Sequence, residues 1–179
     1  MNGFPIVTER LVLRPPLASD LSEIARFLSD YEVVKNLSRV PHPYDLEAGR
    51  AWLAAADRGW HDPDQMEDLS AMITLDGNLA GCISLKSLQL NPEIGYWLGR
   101  DYWGRGLMSE AAGAMVSWFF ANTGHDVLAG EAMADNAASL KVLTKAGFKV
   151  TGNAVCNSLS RGCGVPAIRT EIRRQDLMN

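Results

Sequence analysis

The sequence predicts an α+β fold in which a mixed β-sheet of about seven strands is flanked by about four helices. Three strand patterns follow one another in the middle of the chain, and helical patterns lie on both sides of them. The length of 179 residues, of which 47% are hydrophobic and 21% charged, is enough for one sizeable core and short for two. We therefore expect residues 1–179 to form a single domain.

The first part of the chain predicts one strand and two helices. Residues 8–14 (TERLVLR) place two leucines on one face of a strand, which a Pro-Pro pair ends. The segment SDLSEIARFLSD has an apolar helical stripe, and its Asp20 and Glu23 stand at the spacing of a capping box. Asp45 is placed to cap a second helix over residues 45–60. The polar, proline-containing stretch HDPDQMED that follows predicts a surface loop.

The middle and end of the chain predict the rest of the sheet and two further helices. Asp76, Gly77 and Asn78 form a strong hairpin signal between two apolar runs. A third helix follows a glycine-rich segment and ends near an Asn-Thr-Gly sequence, and Gly147 stops a fourth helix. The remaining predicted strands are residues 69–75, 79–88, 93–98, 127–133, 148–156 and 165–173, and the fourth helix covers residues 138–146.

Composition and charge exclude several classes of function. The formal net charge of −4 lacks the clustered basic excess of nucleic-acid-binding modules. The longest apolar run, residues 107–121, is interrupted by polar residues and is too short to cross a bilayer of about 30 Å. The N-terminal MNGFPIVTER lacks the basic and apolar regions of a signal peptide. We therefore expect a cytoplasmic protein that binds neither nucleic acid nor membrane.

The cysteines and histidines do not indicate a metal site. Cys82, Cys156 and Cys163 cannot all pair with one another, and no C-x-x-C spacing occurs. The three histidines are scattered without ligand spacing. We predict a reduced chain with partly buried thiols and no metal ion.

The segment GRDYWGRGLMSEAA, residues 99–112, is typical of an anion site because it places Gly104 and Gly106 before a helix. The segment does not match a Walker loop, because Arg105 and Gly106 stand after Gly104, where that loop requires lysine and then serine or threonine. A dinucleotide fingerprint could use Ser109 as its third small residue, but it requires a regular β-α-β alternation rather than three strands in succession. A helix start without any ligand is the remaining alternative.

Two motifs together carry a family resemblance. The stretch EIGYWLGRDYWGRGLMSEA, followed by ADNAASLKVLTKAGF, resembles the GNAT superfamily of acetyl-CoA-dependent N-acetyltransferases, in its ribosomal-protein N-terminal acetyltransferase-like branch. The opening TERLVLRPP fits the same pattern, so the resemblance covers nearly the whole chain. One departure is Asp101, which stands where the superfamily usually has Gln or Arg. We expect its carboxylate to point away from the cofactor.

The resemblance implies a GNAT-like fold and a binding site for acetyl-CoA. Backbone amides of residues 103–108 would bind the pyrophosphate, with a hydroxyl from Ser109 and charge from Arg105 at the rim. The strand that ends at Leu98 would separate from the strand over residues 127–133, and the Leu98 amide would donate to the thioester oxygen. The implied cofactor-binding residues are Leu98, Trp103, Gly104, Arg105, Gly106, Leu107, Met108, Ser109 and Asn136.

Asn136 and Ser139 allow two interpretations. As N-cap and third helical residue they would stabilise the fourth helix by about 1 kcal/mol without any ligand. The resemblance implies that Asn136 contacts the pantetheine arm and that Ser139 lies near the sulfur.

The implied reaction is direct transfer of acetyl to a primary amine in a ternary complex. Glu93 is the candidate base, acting through water, and Ser139, Tyr102 or solvent would protonate the thiolate. An N-terminal amine, with a pKa of ~8, is deprotonated more easily than lysine, with a pKa of ~10.4. We expect a peptide N-terminus or a small amine as acceptor and a monomer or homodimer. The alternatives are a non-catalytic acetyl-CoA sensor and a dinucleotide-dependent oxidoreductase.

Overall fold

The computed structural model describes residues 3–61 and 67–178, and within them the chain forms eight strands and five α-helices. The strands are β1 (Ile6–Val7), β2 (Leu11–Arg14), β3 (Leu69–Leu75), β4 (Asn78–Lys86), β5 (Glu93–Leu98), β6 (Val127–Met133), β7 (Lys149–Ser158) and β8 (Cys163–Arg173). The helices are α1 (Leu21–Leu28), α2 (Tyr31–Val34), α3 (Leu46–His61), α4 (Leu107–Asn122) and α5 (Ala137–Lys145). Most of the predicted loop HDPDQMED, residues 62–66, lies outside the described residues.

All eight strands form one mixed sheet in the order β1-β2-β3-β4-β5-β6-β8-β7. Every neighbouring pair is antiparallel except β5 and β6, which are parallel. The α+β prediction is therefore confirmed, with one strand and one helix more than expected. Both additions, β1 and α2, are too short to show periodicity in a sequence.

The two faces of the sheet are covered by different helices. On one face, α4 and α5 pack through buried residues such as Met115, Phe119 and Leu143. On the other, α1, α2 and α3 cover Met72 and Cys82. We call these the α4/α5 face and the α1–α3 face. No helix among the described residues is long and apolar enough to cross a membrane.

The expected capping box at Asp20 and Glu23 is wrong. Asp20, which is 6% exposed, accepts hydrogen bonds from the Arg14 guanidinium at 2.7 and 2.8 Å and from the Leu17 amide at 2.8 Å. Glu23 instead pairs with Arg26 at 2.8 Å. A turn of 3-10 helix over Ala18–Asp20 precedes α1, so Asp20 already has helical dihedrals and its carboxylate joins α1 to β2.

Two other local predictions are confirmed. Asp45 Oδ1 accepts hydrogen bonds from the amides of Glu47 and Ala48 at 2.9 and 3.2 Å, as an N-cap does. Asp76 and Gly77 both have positive φ, at 51° and 78°, which is the conformation of the two-residue turn that joins β3 to β4. Local side-chain and backbone preferences decide both features.

Candidate active site

The loop before α4 has a backbone that only glycine adopts easily. Gly104 and Gly106 have φ of +71° and +75°, in the left-handed region, and Gly106 is the residue immediately before α4. No side chain caps this helix start. The loop therefore leaves the first turn of α4 open at its positive end.

A row of unbonded amides lies along this loop. The backbone N–H groups of residues 104–109 donate no hydrogen bond to any described residue, and the first amide to do so is that of Glu110, which donates to Gly106 O at 3.2 Å. The side chains of Leu107 and Met108 are buried and fix the helix end against the sheet. Six consecutive free donors at a helix N-terminus are suited to bind an anion.

Trp103 has a different place from the other loop residues. Its amide donates to Arg100 O at 3.1 Å, so the row of free amides begins one residue later than expected. Its indole Nε1 donates to Leu98 O at 2.9 Å and joins the loop to the end of β5. The Asp101 side chain is 75% exposed and lies 3.5 Å from the Arg26 guanidinium. It points away from the loop amides, as expected for a residue that does not contact the cofactor.

A side-chain brace that the sequence did not indicate supports the loop from behind. Arg10 Nη1 donates to Arg105 O at 3.0 Å, while Arg10 Nε donates to Glu110 Oε2 at 2.7 Å. Glu110 Oε1 also accepts hydrogen bonds from the Thr8 hydroxyl at 2.6 Å and the Arg10 amide at 2.9 Å. Burial by itself would raise the pKa of Glu110, but the hydrogen bonds from Thr8 and Arg10 outweigh it and hold this pKa below its usual value.

Replacing Glu110 by Gln is expected to lower the free energy of unfolding at pH 7 by about 1 kcal/mol, after allowance for solvent screening of the exposed Arg10. The pKa of Glu110 is lower in the folded than in the unfolded state, where it is ~4.3. Its ionised carboxylate therefore stabilises the fold fully above pH ~4.3, and this stabilisation is lost as the pH falls through the folded-state pKa. The variant should therefore lose stability at pH 7 and converge with wild type in acid. Denaturant melts between pH 3 and 7 measure this, with Glu23→Gln as a surface control. An equal loss at every pH would contradict it.

The strands β5 and β6 pair over only two residues. Their register joins Glu93 to Ala129 and Ile94 to Gly130, and beyond this point the parallel strands diverge. The Gly99 amide donates to Ala80 O on β4 at 2.9 Å, so the alternation of a strand turns the Leu98 amide toward β6. The Leu98 N–H therefore faces the gap between the strands, which is the position that the resemblance implied for it.

Asn136 and Ser139 lie beside this gap at the start of α5. Asn136 Oδ1 accepts a hydrogen bond from the Ser139 amide at 3.1 Å, so the capping role is present. The Tyr96 hydroxyl, which reaches across from β5, donates to Ser139 O at 3.1 Å and lies 3.0 Å from Ser139 Oγ. Burial raises the pKa of Tyr96 to about 12, so its phenol is neutral at physiological pH.

A cavity of about 670 Å³ lies at the gap and is lined by residues from both faces of the sheet. On the α4/α5 face it is lined by the glycine loop, Asn136 and Ser139. On the α1–α3 face it is lined by Glu93, by Trp97 and by apolar residues of α1, α2 and the segment before α3. The cavity thus brings together all the predicted cofactor residues except Arg105, whose carbonyl is held by Arg10. Tyr102 also lines it, with its ring edge-on to Phe27.

The thiols on the α1–α3 face are poor nucleophiles. Burial raises the pKa of Cys82 to about 12. Burial also raises the pKa of Cys156, and the nearby carboxylates of Glu131 and Glu93 add to this effect. Since the thiolate is the reactive form, neither side chain is suited to carry an acyl group at neutral pH. No cluster of metal-ligating side chains occurs among the described residues.

Comparison with known families identifies the class of protein. Residues 10–149 match the acetyltransferase (GNAT) domain. The chain belongs to the GNAT family. This GNAT protein is an N-acetyltransferase, and acetyl-CoA is its co-substrate, as the resemblance implied. The alternative of a dinucleotide-dependent oxidoreductase is wrong, because the glycine loop follows three successive strands in an acetyltransferase fold.

Individual relatives agree with the assignment. The GNAT chain is 25% identical over 150 residues to an uncharacterized N-acetyltransferase p20 of Bacillus licheniformis. The aligned region covers 82% of this chain and 83% of the relative. Its fold is similar to that of RimL, a ribosomal L7/L12 alpha-N-protein acetyltransferase in complex with coenzyme A, with 17% identity, a TM-score of 0.80 and coverage of 94% and 97%. It is also similar to a spermidine N-acetyltransferase from Vibrio cholerae in complex with CoA and spermine, with 15% identity, a TM-score of 0.79 and coverage of 96% and 100%.

Proposed function

We propose that this enzyme transfers acetyl from acetyl-CoA to a primary amine by direct attack in a ternary complex. The observation that carries the proposal is the row of six free amides beside the open gap between β5 and β6. The amides and the α4 dipole suit a diphosphate, and the gap suits an extended arm that carries a thioester. The cavity then lets an acceptor approach from the opposite face.

In this arrangement the Leu98 amide donates to the thioester oxygen, where negative charge develops during attack. Loss of one such donor raises a barrier by about 3 kcal/mol in comparable sites. The Asn136 carboxamide keeps its NH₂ group for the pantetheine arm, since only its Oδ1 is used in the cap. In this proposal the Leu98 amide polarises the thioester, and the Asn136 carboxamide binds the pantetheine arm.

Proton transfer is assigned to groups on opposite faces of the sheet. Glu93, half-buried on the α1–α3 face, takes the proton of the acceptor ammonium through water. The Ser139 hydroxyl on the other face is in hydrogen-bond contact with the Tyr96 hydroxyl and supplies a proton to the departing thiolate, or solvent does so in its place. The nitrogen–carbon bond forms as the carbon–sulfur bond breaks, the nitrogen releases its second proton to solvent, and solvent returns a proton to Ser139, which leaves an N-acetylated amine and CoA thiol.

The acceptor is a peptide N-terminus or a small amine. Two relatives of the same fold are named for such substrates, one for a protein α-amine and one for spermidine. A cytoplasmic location and a monomeric or homodimeric state are further predictions from the sequence.

Thiol release in the presence of acetyl-CoA and a panel of primary amines tests the proposal. We expect release that depends on the amine, with an acetylated product visible by mass spectrometry. Tight acetyl-CoA binding in calorimetry without amine-dependent release would instead identify a non-catalytic sensor. Absence of any CoA binding would overturn the site itself.

Substitution of Asn136 separates its two roles. Asn136→Ala removes both the cap and the carboxamide, and it should lower the free energy of unfolding by about 1 kcal/mol and weaken CoA binding by about 5- to 10-fold. Asn136→Ser keeps a capping hydroxyl, so it should restore most of the stability without restoring the affinity. Calorimetric titration with CoA and denaturant melts give the two values. Full recovery of affinity in the serine variant would leave Asn136 with the capping role alone.

A further inference from the structure

A half-buried lysine lies in the acceptor half of the cavity. Lys86, the last residue of β4, lines the cavity on the α1–α3 face. Its side chain crosses over Gly95 on β5, where its Cε and Nζ come within 3.2 Å of the place that a β-carbon would occupy. No carboxylate of the described residues forms an ion pair with this ammonium. A half-buried cation that pairs with no described carboxylate is suited to bind an anionic group of a ligand.

Two carboxylates share the same face as Lys86. Glu93 stands directly opposite it in the register of β4 and β5. Glu131 follows Ala129, the residue paired with Glu93, by two positions on β6, so it faces the same side. Glu131 is 25% exposed and only loosely paired with the outer Arg169, at 3.7 Å.

Lys86 starts on β4, but its ammonium lies over Gly95 of β5, two residues after Glu93 on the same face of that strand. The carboxylates stand on β5 and β6, next to the strand gap. Apolar side chains of α1, α2 and the segment before α3 form the wall above it, including Leu28, Val33 and Val40. A ligand that satisfies all three regions carries an ammonium, an anionic group nearby and an apolar substituent.

We propose that Lys86 binds a carboxylate of the acceptor, while Glu93 and Glu131 face its ammonium. This inference rests on the proposed function and narrows its acceptor to amines that bear a nearby carboxylate. Two sources share this chemistry: a free apolar amino acid, and a peptide whose first residue has an acidic side chain. In both, the amine lies next to Glu93 and Glu131, and the carboxylate lies next to the Lys86 ammonium over Gly95.

The test compares pairs of acceptors in which an amide replaces the carboxylate. Leucine and leucinamide represent the first source, and aspartyl-leucinamide and asparaginyl-leucinamide represent the second. For the wild type with CoA bound, we expect calorimetry to give at least about tenfold tighter binding of the acid in one of the two pairs, and acetyl transfer to show a lower KM for it. Lys86→Met should reduce this ratio to about one.

Arg39→Met is the matched control, because Arg39 is a second cation that lines the same cavity but already lies 3.9 Å from Asp68. It should keep the preference for the acid. A wild type without preference in either pair, or a preference that survives in Lys86→Met, would overturn the inference. Because binding is measured separately from transfer, a retained acid preference without any turnover would support the Lys86 site and reject the proposed reaction.

Discussion

Replacing Glu93 by Gln is expected to lower kcat at pH 7 by about 100-fold with little change in acetyl-CoA affinity. Glutamine keeps the size of the side chain but cannot accept the proton of the acceptor ammonium. As the pH rises, more acceptor is already neutral, and the difference between variant and wild type should shrink. Thiol release measured with saturating amine between pH 6 and 10 gives both results.

Glu171→Gln is a suitable control for this experiment. Glu171 lies on β8, does not line the cavity and pairs with Arg173 at 2.7 Å. Its replacement should leave the rate within about twofold of wild type. If Glu93→Gln has the wild-type rate across the whole pH range, solvent removes the proton and Glu93 is not the base.

Gly106→Val is expected to weaken acetyl-CoA binding by about 10- to 100-fold. A branched side chain at a φ of +75° is strained by about 1–2 kcal/mol or more, and relief of that strain moves the amides that begin α4. The pyrophosphate then loses several aligned donors at once. Calorimetric titration with CoA measures the loss.

The strain itself has a matched control in Gly162→Val. Gly162, in the turn between β7 and β8, has a similar φ of +66°. No heavy atom lies within 4 Å of the place that a β-carbon would occupy there. Both valine variants should lower the free energy of unfolding, but only Gly106→Val should lose cofactor affinity. An unchanged affinity in Gly106→Val would show that the loop does not hold the cofactor.

The features that the sequence predicted correctly are those that neighbouring residues determine. The hairpin at Asp76 and Gly77 and the caps at Asp45 and Asn136 all depend on a side chain or a φ angle within three residues of the feature. The glycine loop is of the same kind, because positive φ at Gly106 and the open helix start follow from the local chain. Such preferences act in the same way wherever the segment lies in the fold.

The error at Asp20 has its cause outside the helix, in the preceding strand. Asp20 has the composition and spacing of a helix cap, yet its carboxylate forms two short hydrogen bonds with Arg14 of β2. A bidentate contact between two ions is stronger than a cap in which the carboxylate accepts from an uncharged amide, so it determined where the carboxylate points. The short elements β1 and α2 were missed because two and four residues contain no full period.

The sequence by itself determined the class of the fold, the family and the loop that offers free amides to an anion, because motif spacing and backbone preferences are local properties of the chain. Only the tertiary structure decided which residues share the site. Arg10 meets Glu110 across one hundred positions, Tyr96 meets Ser139 across 43, and Lys86 crosses Gly95 only because β4 and β5 pair in this register. These contacts depend on strand order and register, which arise from the burial of the whole core rather than from any one segment.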